Sequence, residues 1–240
     1  MSLFKKFRKR LKSTFFFNVI QNILHKPLNS FSDCFGEDLF VNNYFSDKNY
    51  GFYIDIGCNQ PKSNSLTYLL FKKGWKGMNI DISERCIKLY KYFRKNDFNL
   101  NISIGSKNQI VNSFIFYDNC TMNTVDPKFS KYTSKSVNKK PSIRKIKEKT
   151  LNQILKEKKI KIIDYLNIDV EGYEMSVLKG FDILNYNPSL VSIEIHDIEC
   201  PPKKNKIYNY FIKNKYNLVS IYGWTYFFEK NKNSKIHFKI

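Results

Sequence analysis

The sequence predicts an α/β fold: a Rossmann-like, doubly wound, mostly parallel seven-stranded sheet with an antiparallel C-terminal edge hairpin. Three observations carry this. From Gly51 onward, short apolar runs alternate with helical stretches, the rhythm of βα units that feed a parallel sheet. Two successive runs end in an acid, Asp55 and Asp81, at the carboxyl ends of strands where such sheets bind ligands. The final runs, 216–222 and 225–230, flank Gly223-Trp224 and read as a hairpin. The 240 residues are enough for one large α/β domain with a full core.

The elements follow in order. Gly51 to Gly57 is a buried strand by length and composition. Ser65 to Lys73 reads as a helix closed by Gly74, and Gly77 to Ile82 as the second strand. Ser83 caps a helix running to about Lys95. Leu100 to Ile104 is a third strand, and Ile110 to Tyr117 a further one. Residues 119–142 are polar, basic and without period, so they read as a long loop. Ser142 to Lys149 alternates weakly, and Leu151 to Lys158 is helical. Ile162 to Val170 and Leu190 to His196 are core strands around a helix from Tyr173 to Lys179. Pro201-Pro202 open a helix to about Lys213.

Residues 1–50 read as a basic amphipathic extension, with the domain proper at 51–240. Residues 1–30 hold seven Lys/Arg and no acid; residues 131–161 hold twelve Lys/Arg and two acids. These two stretches carry most of the net charge of +20. They suit a phosphate-bearing partner, either anionic lipid or nucleic acid. A Lys- and Asn-rich composition that leaves solvated lysines everywhere is the competing explanation. Near the start, Phe4, Phe7, Leu11 and Phe15 recur at helical spacing among Lys5, Lys6, Arg8, Lys9, Arg10 and Lys12. That pattern suits a helix lying on an anionic membrane surface through residues 1–20; a helix packed on its own domain and a disordered tail are the alternatives. The apolar run Thr14-Phe15-Phe16-Phe17 is far too short to span a bilayer, and no signal-peptide core follows the basic residues. Five scattered cysteines without a Cys-x-x-Cys pair argue against a disulfide framework or zinc cluster. The expected setting is cytoplasmic, peripheral at the inner face of a membrane if the N-terminal helix docks there.

The chemistry concentrates at strand ends. Asp55-Ile56-Gly57-Cys58-Asn59 places a carboxylate where it can accept from an ammonium group, and a glycine where backbone can approach a ligand. Asp81, one strand on, can accept both hydroxyls of a ribose, although it could simply cap the following helix. No Gly-x-Gly-x-x-Gly is present, so no pyrophosphate nest is expected. A ligand with a ribose and a cation but no phosphates fits S-adenosylmethionine. Asp169, Glu171 and Glu174 crowd the end of another strand, and Glu194 and His196 share a face at the next. Glu171 and Glu174 could be ordinary first-turn acids of a helix. A neutral His196 or Asp169 could take a proton from a substrate hydroxyl, or a divalent metal ion between Asp169 and Glu194 could activate it.

Asp55-Ile56-Gly57, Lys73-Gly74-Trp75-Lys76-Gly77 with Ile80-Asp81, and Ile168-Asp169-Val170-Glu171-Gly172 leading to Val177-Leu178-Lys179-Gly180 resemble the FkbM-family methyltransferases over about residues 50–200. The resemblance implies S-adenosylmethionine as cofactor and O-methylation, often of sugars. It implies a cofactor pocket of Asp55, Gly57, Asp81 and the segment from Ser103, Ile104 and Gly105 to Ser106, with the adjoining Cys58, Asn59, Ser65 and Ile82 as further candidates. It puts Asp169, Glu171 and Glu194 on the catalytic, substrate side, where the alternation of side chains adds His196. Two departures stand out: Gln60-Pro61 replaces a Gly-rich turn, and Ser65-Leu66-Thr67 replaces Ser-Asn-Thr. The expected partner is a small-molecule or glycan acceptor, walled by the 119–142 loop with Tyr117, Asn123 and Tyr132. A nucleic-acid methyltransferase, suggested by the basic 131–161 stretch, and a non-catalytic membrane-associated protein on the same fold are the alternatives.

Overall fold

The computed structural model describes residues 14–24, 30–32, 35–118, 120–196 and 204–231. Two helices come first, α1 (Phe15–Leu24) and α2 (Glu37–Tyr44). Then follow β1 (Phe52–Ile56), α3 (Tyr68–Lys72), β2 (Lys76–Asp81), α4 (Glu84–Phe93), β3 (Phe98–Asn101), β4 (Ser103–Ile104) and β5 (Gln109–Ile115). The second half runs α5 (Pro127–Ser136), β6 (Ser142–Lys149), α6 (Leu151–Glu157), β7 (Tyr165–Ile168), α7 (Glu174–Lys179), α8 (Ile183–Tyr186) and β8 (Leu190–Glu194). It ends with α9 (Lys206–Lys213), β9 (Tyr216–Tyr222) and β10 (Thr225–Lys230).

Seven strands form one sheet in the order β3-β2-β1-β7-β8-β10-β9. The first five are parallel, and β10 runs antiparallel to both β8 and β9. This is the expected doubly wound α/β architecture. Strand order reverses between β1 and β7, so their carboxyl ends open a crevice. Both faces are covered, which is why these strands are apolar almost throughout. Ile54, Ile56, Met78, Ile80, Leu166, Ile168, Val191 and Ile193 face α6, α7 and α9 in the larger core cluster. Tyr53, Trp75, Tyr165, Leu190 and Phe227 face the other way. Val41 and Phe45, from the stretch read as N-terminal extension, are buried in that second cluster.

Several sequence expectations need correction. Leu100 to Ile104 is not one strand. Its first part belongs to the main sheet, while β4 leaves to join β6 and β5 in a separate three-stranded sheet. The weak alternation of 142–149 is that of a mostly exposed strand pairing with β5 along its length. Residues 119–142 are not all loop, since α5 lies inside them. Asp126 accepts from the N–H groups of Lys128 and Phe129, and Pro127 occupies the first turn, a helix start legible in principle but hidden by the basic composition. The helix after Ser65 begins only at Tyr68, because Ser65 and Thr67 are drawn into a buried polar cluster. Pro201-Pro202 lie outside the described residues, and Asn205 caps α9. Phe4, Phe7 and Leu11 also lie outside them.

Candidate active site

A cavity of about 840 Å³, counted with its open mouth, lies at the carboxyl ends of β1, β2 and β7. Asp55, Gly57, Cys58, Asn59, Asp81, Ile82, Ser103 and Ile104 line it, together with Asp169. Ser65 and Gly105 do not. Ser65 accepts instead from Arg94 Nη2 at 2.9 Å. Gly105 is pressed against Glu148, whose carboxylate a Cβ would strike at 2.4 Å.

Asp81 is the best placed acceptor. Its carboxylate takes the Asn59 N–H at 2.9 Å and the Ser83 N–H at 2.7 Å. Asn59 reaches this position with φ at 45°, a conformation asparagine tolerates. Desolvation raises the Asp81 pKa to about 6 against these two hydrogen bonds. Two backbone donors leave lone pairs for a ligand at the cavity wall.

Asp55 has a different job. Its neighbours in register are Asn79 on β2 and Asn167 on β7, and Asn167 in turn faces Ser192 on β8. The polar row is linked by directed hydrogen bonds. Tyr165 OH meets Ser192 Oγ at 2.6 Å, Ser192 donates to Asn167 at 2.6 Å, and Asn167 donates to Asp55 at 2.9 Å. From the other side Thr67 donates to Asp55 at 2.8 Å and Arg94 Nη1 to Thr67 at 2.8 Å. Every donor points toward the Asp55 carboxylate, so it fixes the cavity floor as well as touching the ligand space. Arg94, only 1% exposed, also holds the Pro61 carbonyl and the Tyr53 hydroxyl. Nothing in the sequence marked it, because a basic residue at a helix end reads as solvated.

Gly57 is needed for a reason other than ligand approach. A Cβ there would lie 1.6 Å from the Asp169 carbonyl oxygen, and φ is +83°. The glycine lets β1 and β7 come together where Asp169 N–H meets the Ile56 carbonyl at 2.9 Å.

Beside the cavity, β7 and β8 bring four predicted residues together. His196 Nε2 lies 3.3 Å from Glu171 Oε2 and 3.1 Å from Glu194 Oε2. Glu171 reaches inward with φ at 55°, a strained conformation for such a side chain and a common mark of functional sites. Asp169 hydrogen-bonds to Glu194; burial and the neighbouring acids push its carboxyl well up, whereas hydrogen bonding to His196 holds Glu194 below the usual range despite its desolvation. Asp169 therefore carries the proton of this pair. His196 is raised to about 10 by its two carboxylates, against the cost of burial. That direction favours the protonated imidazole over the neutral form a proton acceptor needs. Glu171, Glu194 and His196 offer donor atoms within 4.8 Å of one another, a span a divalent cation can bridge when the imidazole is neutral.

The 119–142 segment does wall this region, through residues the sequence did not single out. Cys120, Thr121 and Val125 line the cavity. Asn123 lines it too, but both ends of its amide are spent on Phe116 N–H and the Tyr117 carbonyl. Tyr117 and Tyr132 are exposed and do not line the cavity, although the Tyr132 ring centroid lies 5.8 Å from that of Phe129. Phe129 of α5 covers the cluster instead, its ring centroid 4.9 Å from that of His196.

No curated protein and no solved structure matches the chain. A family model, described as the Methyltransferase FkbM domain, matches residues 55–218, from the carboxyl end of β1 through the acid–histidine cluster to the start of β9. The chain belongs to the FkbM methyltransferase family.

Proposed function

We propose that this chain is an S-adenosylmethionine-dependent O-methyltransferase acting on a hydroxyl of a saccharide or glycan-type acceptor. The observation that carries the reading is Asp81 at the end of β2: a carboxylate steadied by two backbone N–H groups at the wall of the cavity. Among the described residues, the turn after β1 does not form a glycine-rich phosphate cradle. Ile82, Ile102, Ile104, Leu66 and Val125 supply apolar wall suited to a flat base, and Asp81 suits ribose hydroxyls. This acceptor and these walls fit S-adenosylmethionine better than a dinucleotide. When bound, that molecule supplies an electrophilic methyl group on a cationic sulfur.

The rest of the chemistry belongs to the chain. The fixed floor of Asp55, Thr67 and Asn167 orients the bound groups, and holding reactants in line is the largest contribution available to such a transfer. Asp169 lines the cavity, and in its ionised form, made more basic by burial and the neighbouring acids, it accepts the acceptor hydroxyl's proton. His196 keeps its proton and lowers the cost of the negative charge on Glu194 and Glu171. Phe129 limits water access from above. A polar, acid-rich rim favours a polyhydroxylated acceptor.

The test is to incubate the full chain with methyl-labelled S-adenosylmethionine and a panel of oligosaccharides, small phenols and RNA. Label in a saccharide, lost in Asp169→Asn, is the expected result. Label confined to RNA would replace the saccharide reading with the nucleic-acid one, and no label with no cofactor binding would support a non-catalytic role.

A further inference from the structure

We propose that α1 is a docking helix for an anionic membrane surface, held on the domain with its polar side inward. The helix is inside-out. Asn18 and Asn22, one turn apart, are 1% and 2% exposed and face the domain. Phe16, Ile20, Ile23 and Leu24, at helical spacing on the opposite side, are 72%, 37%, 56% and 69% exposed. A helix packed only to serve its own core turns the other way.

The inward face is specifically fastened. Asn22 Nδ2 donates to Gln60 Oε1 at 3.0 Å and to the Asn18 carbonyl at 2.8 Å. With its amide oxygen turned toward Arg85, Asn18 accepts from Nε at 2.8 Å and Nη2 at 2.6 Å. Gln60 thus has a structural task here. The polar side is spent on the domain, and the apolar side is left for something else.

Charge identifies the occupant. The twelve residues that precede Ser13 include Lys5, Lys6, Arg8, Lys9, Arg10 and Lys12 and no acid. Beside α1 an open groove is lined by Phe15, Arg85, Lys88, Lys91, Tyr92 and Arg144, with Glu84 and Asp118 as its acids, leaving it net positive. Exposed Phe, Ile and Leu flanked by cations match the boundary between lipid headgroups and acyl chains. No helix among the described residues is long and apolar enough to cross a membrane, so the contact is at the surface. This inference does not depend on the methyl acceptor.

Co-sedimentation of the full chain with vesicles tests it. Vesicles of phosphatidylcholine with about 30% phosphatidylglycerol should bind the protein, and pure phosphatidylcholine should bind it about tenfold or more weakly. The quadruple variant Phe16→Ser/Ile20→Ser/Ile23→Ser/Leu24→Ser should lose about tenfold or more of the anionic binding, with an unchanged melting temperature. As a second readout, Ile20→Trp should show a blue-shifted emission on adding anionic vesicles. Wild-type protein that stays in the supernatant would overturn the proposal. So would a quadruple variant that binds like wild type, or a dimer that the quadruple variant dissociates without any vesicle binding.

Discussion

Asp81→Asn separates what this carboxylate does for the fold from what it does for a ligand. Burial lifts its pKa from 3.8 to about 6, roughly two units, so keeping it charged at neutral pH costs about 3 kcal/mol at most. Asparagine removes that cost. Its Nδ2 cannot accept, so either the Asn59 or the Ser83 N–H loses its partner, at about 1–3 kcal/mol. The two effects nearly cancel, and urea unfolding at pH 7.5 should show a change between zero and about 2 kcal/mol of added stability. The sign with pH follows. The native state takes up a proton as pH falls through 6, whereas the unfolded chain waits until about 3.8. Wild-type stability from this group therefore rises as pH falls across that window, and stability relative to the variant should rise with it. Cofactor affinity should move the opposite way, because a charged acceptor of ribose hydroxyls becomes a neutral amide. The expected loss is about 10- to 100-fold by titration calorimetry with S-adenosylmethionine. A variant destabilised by more than about 3 kcal/mol, or one binding within about twofold of wild type, would refute this reasoning.

Three further outcomes follow from the same geometry. Arg94→Met should cost about 3–5 kcal/mol in urea unfolding, since the Pro61 carbonyl loses its donor and the Thr67–Asp55 link its anchor; a loss under about 1 kcal/mol would show that the chain of bonds is not a structural unit. Gly57→Ala should lower the melting temperature by more than about 10 °C or abolish soluble expression, because the added carbon meets backbone of β7 rather than a movable side chain; a wild-type melt would contradict the close approach. His196 has a native pKa of about 10 against an ordinary 6.5, so its ion pairs stabilise the fold fully below about pH 6.5 and are lost as pH rises through about 10. With a third of the side chain exposed and solvent screening allowed for, about 1–2 kcal/mol is at stake. The difference in stability between wild type and His196→Gln should shrink from pH 7 to about 10.5, and a constant difference would place the histidine's proton elsewhere.

Strand ends were legible in the sequence because burial on both faces leaves little room for an acid, so Asp55, Asp81 and Asp169 mark where strands leave the core. The acid–histidine cluster was legible as well, from Glu194 and His196 alternating onto one face. Its protonation was not, since that depends on Glu171 arriving from another strand with a left-handed backbone. Asp126-Pro127 signalled α5, but a window of lysines masked the signal. Arg94 could not be found from its neighbours in sequence, as its partners Pro61, Ser65 and Thr67 lie across the fold. The fate of β4 and β5 was equally hidden: half-exposed strands pair according to partners distant in the chain. The inward asparagines of α1 became visible only once Gln60 and Arg85 were placed beside them.

The central claim is that the cavity between β1, β2 and β7 holds S-adenosylmethionine. Titration calorimetry of the full wild-type chain addresses it most directly. Saturable one-to-one binding of S-adenosylmethionine, competed by S-adenosylhomocysteine and lost when Asp81 is replaced by alanine, is the predicted result. Absence of binding by the folded wild-type protein, or binding that the Asp81 replacement leaves unchanged, would contradict it.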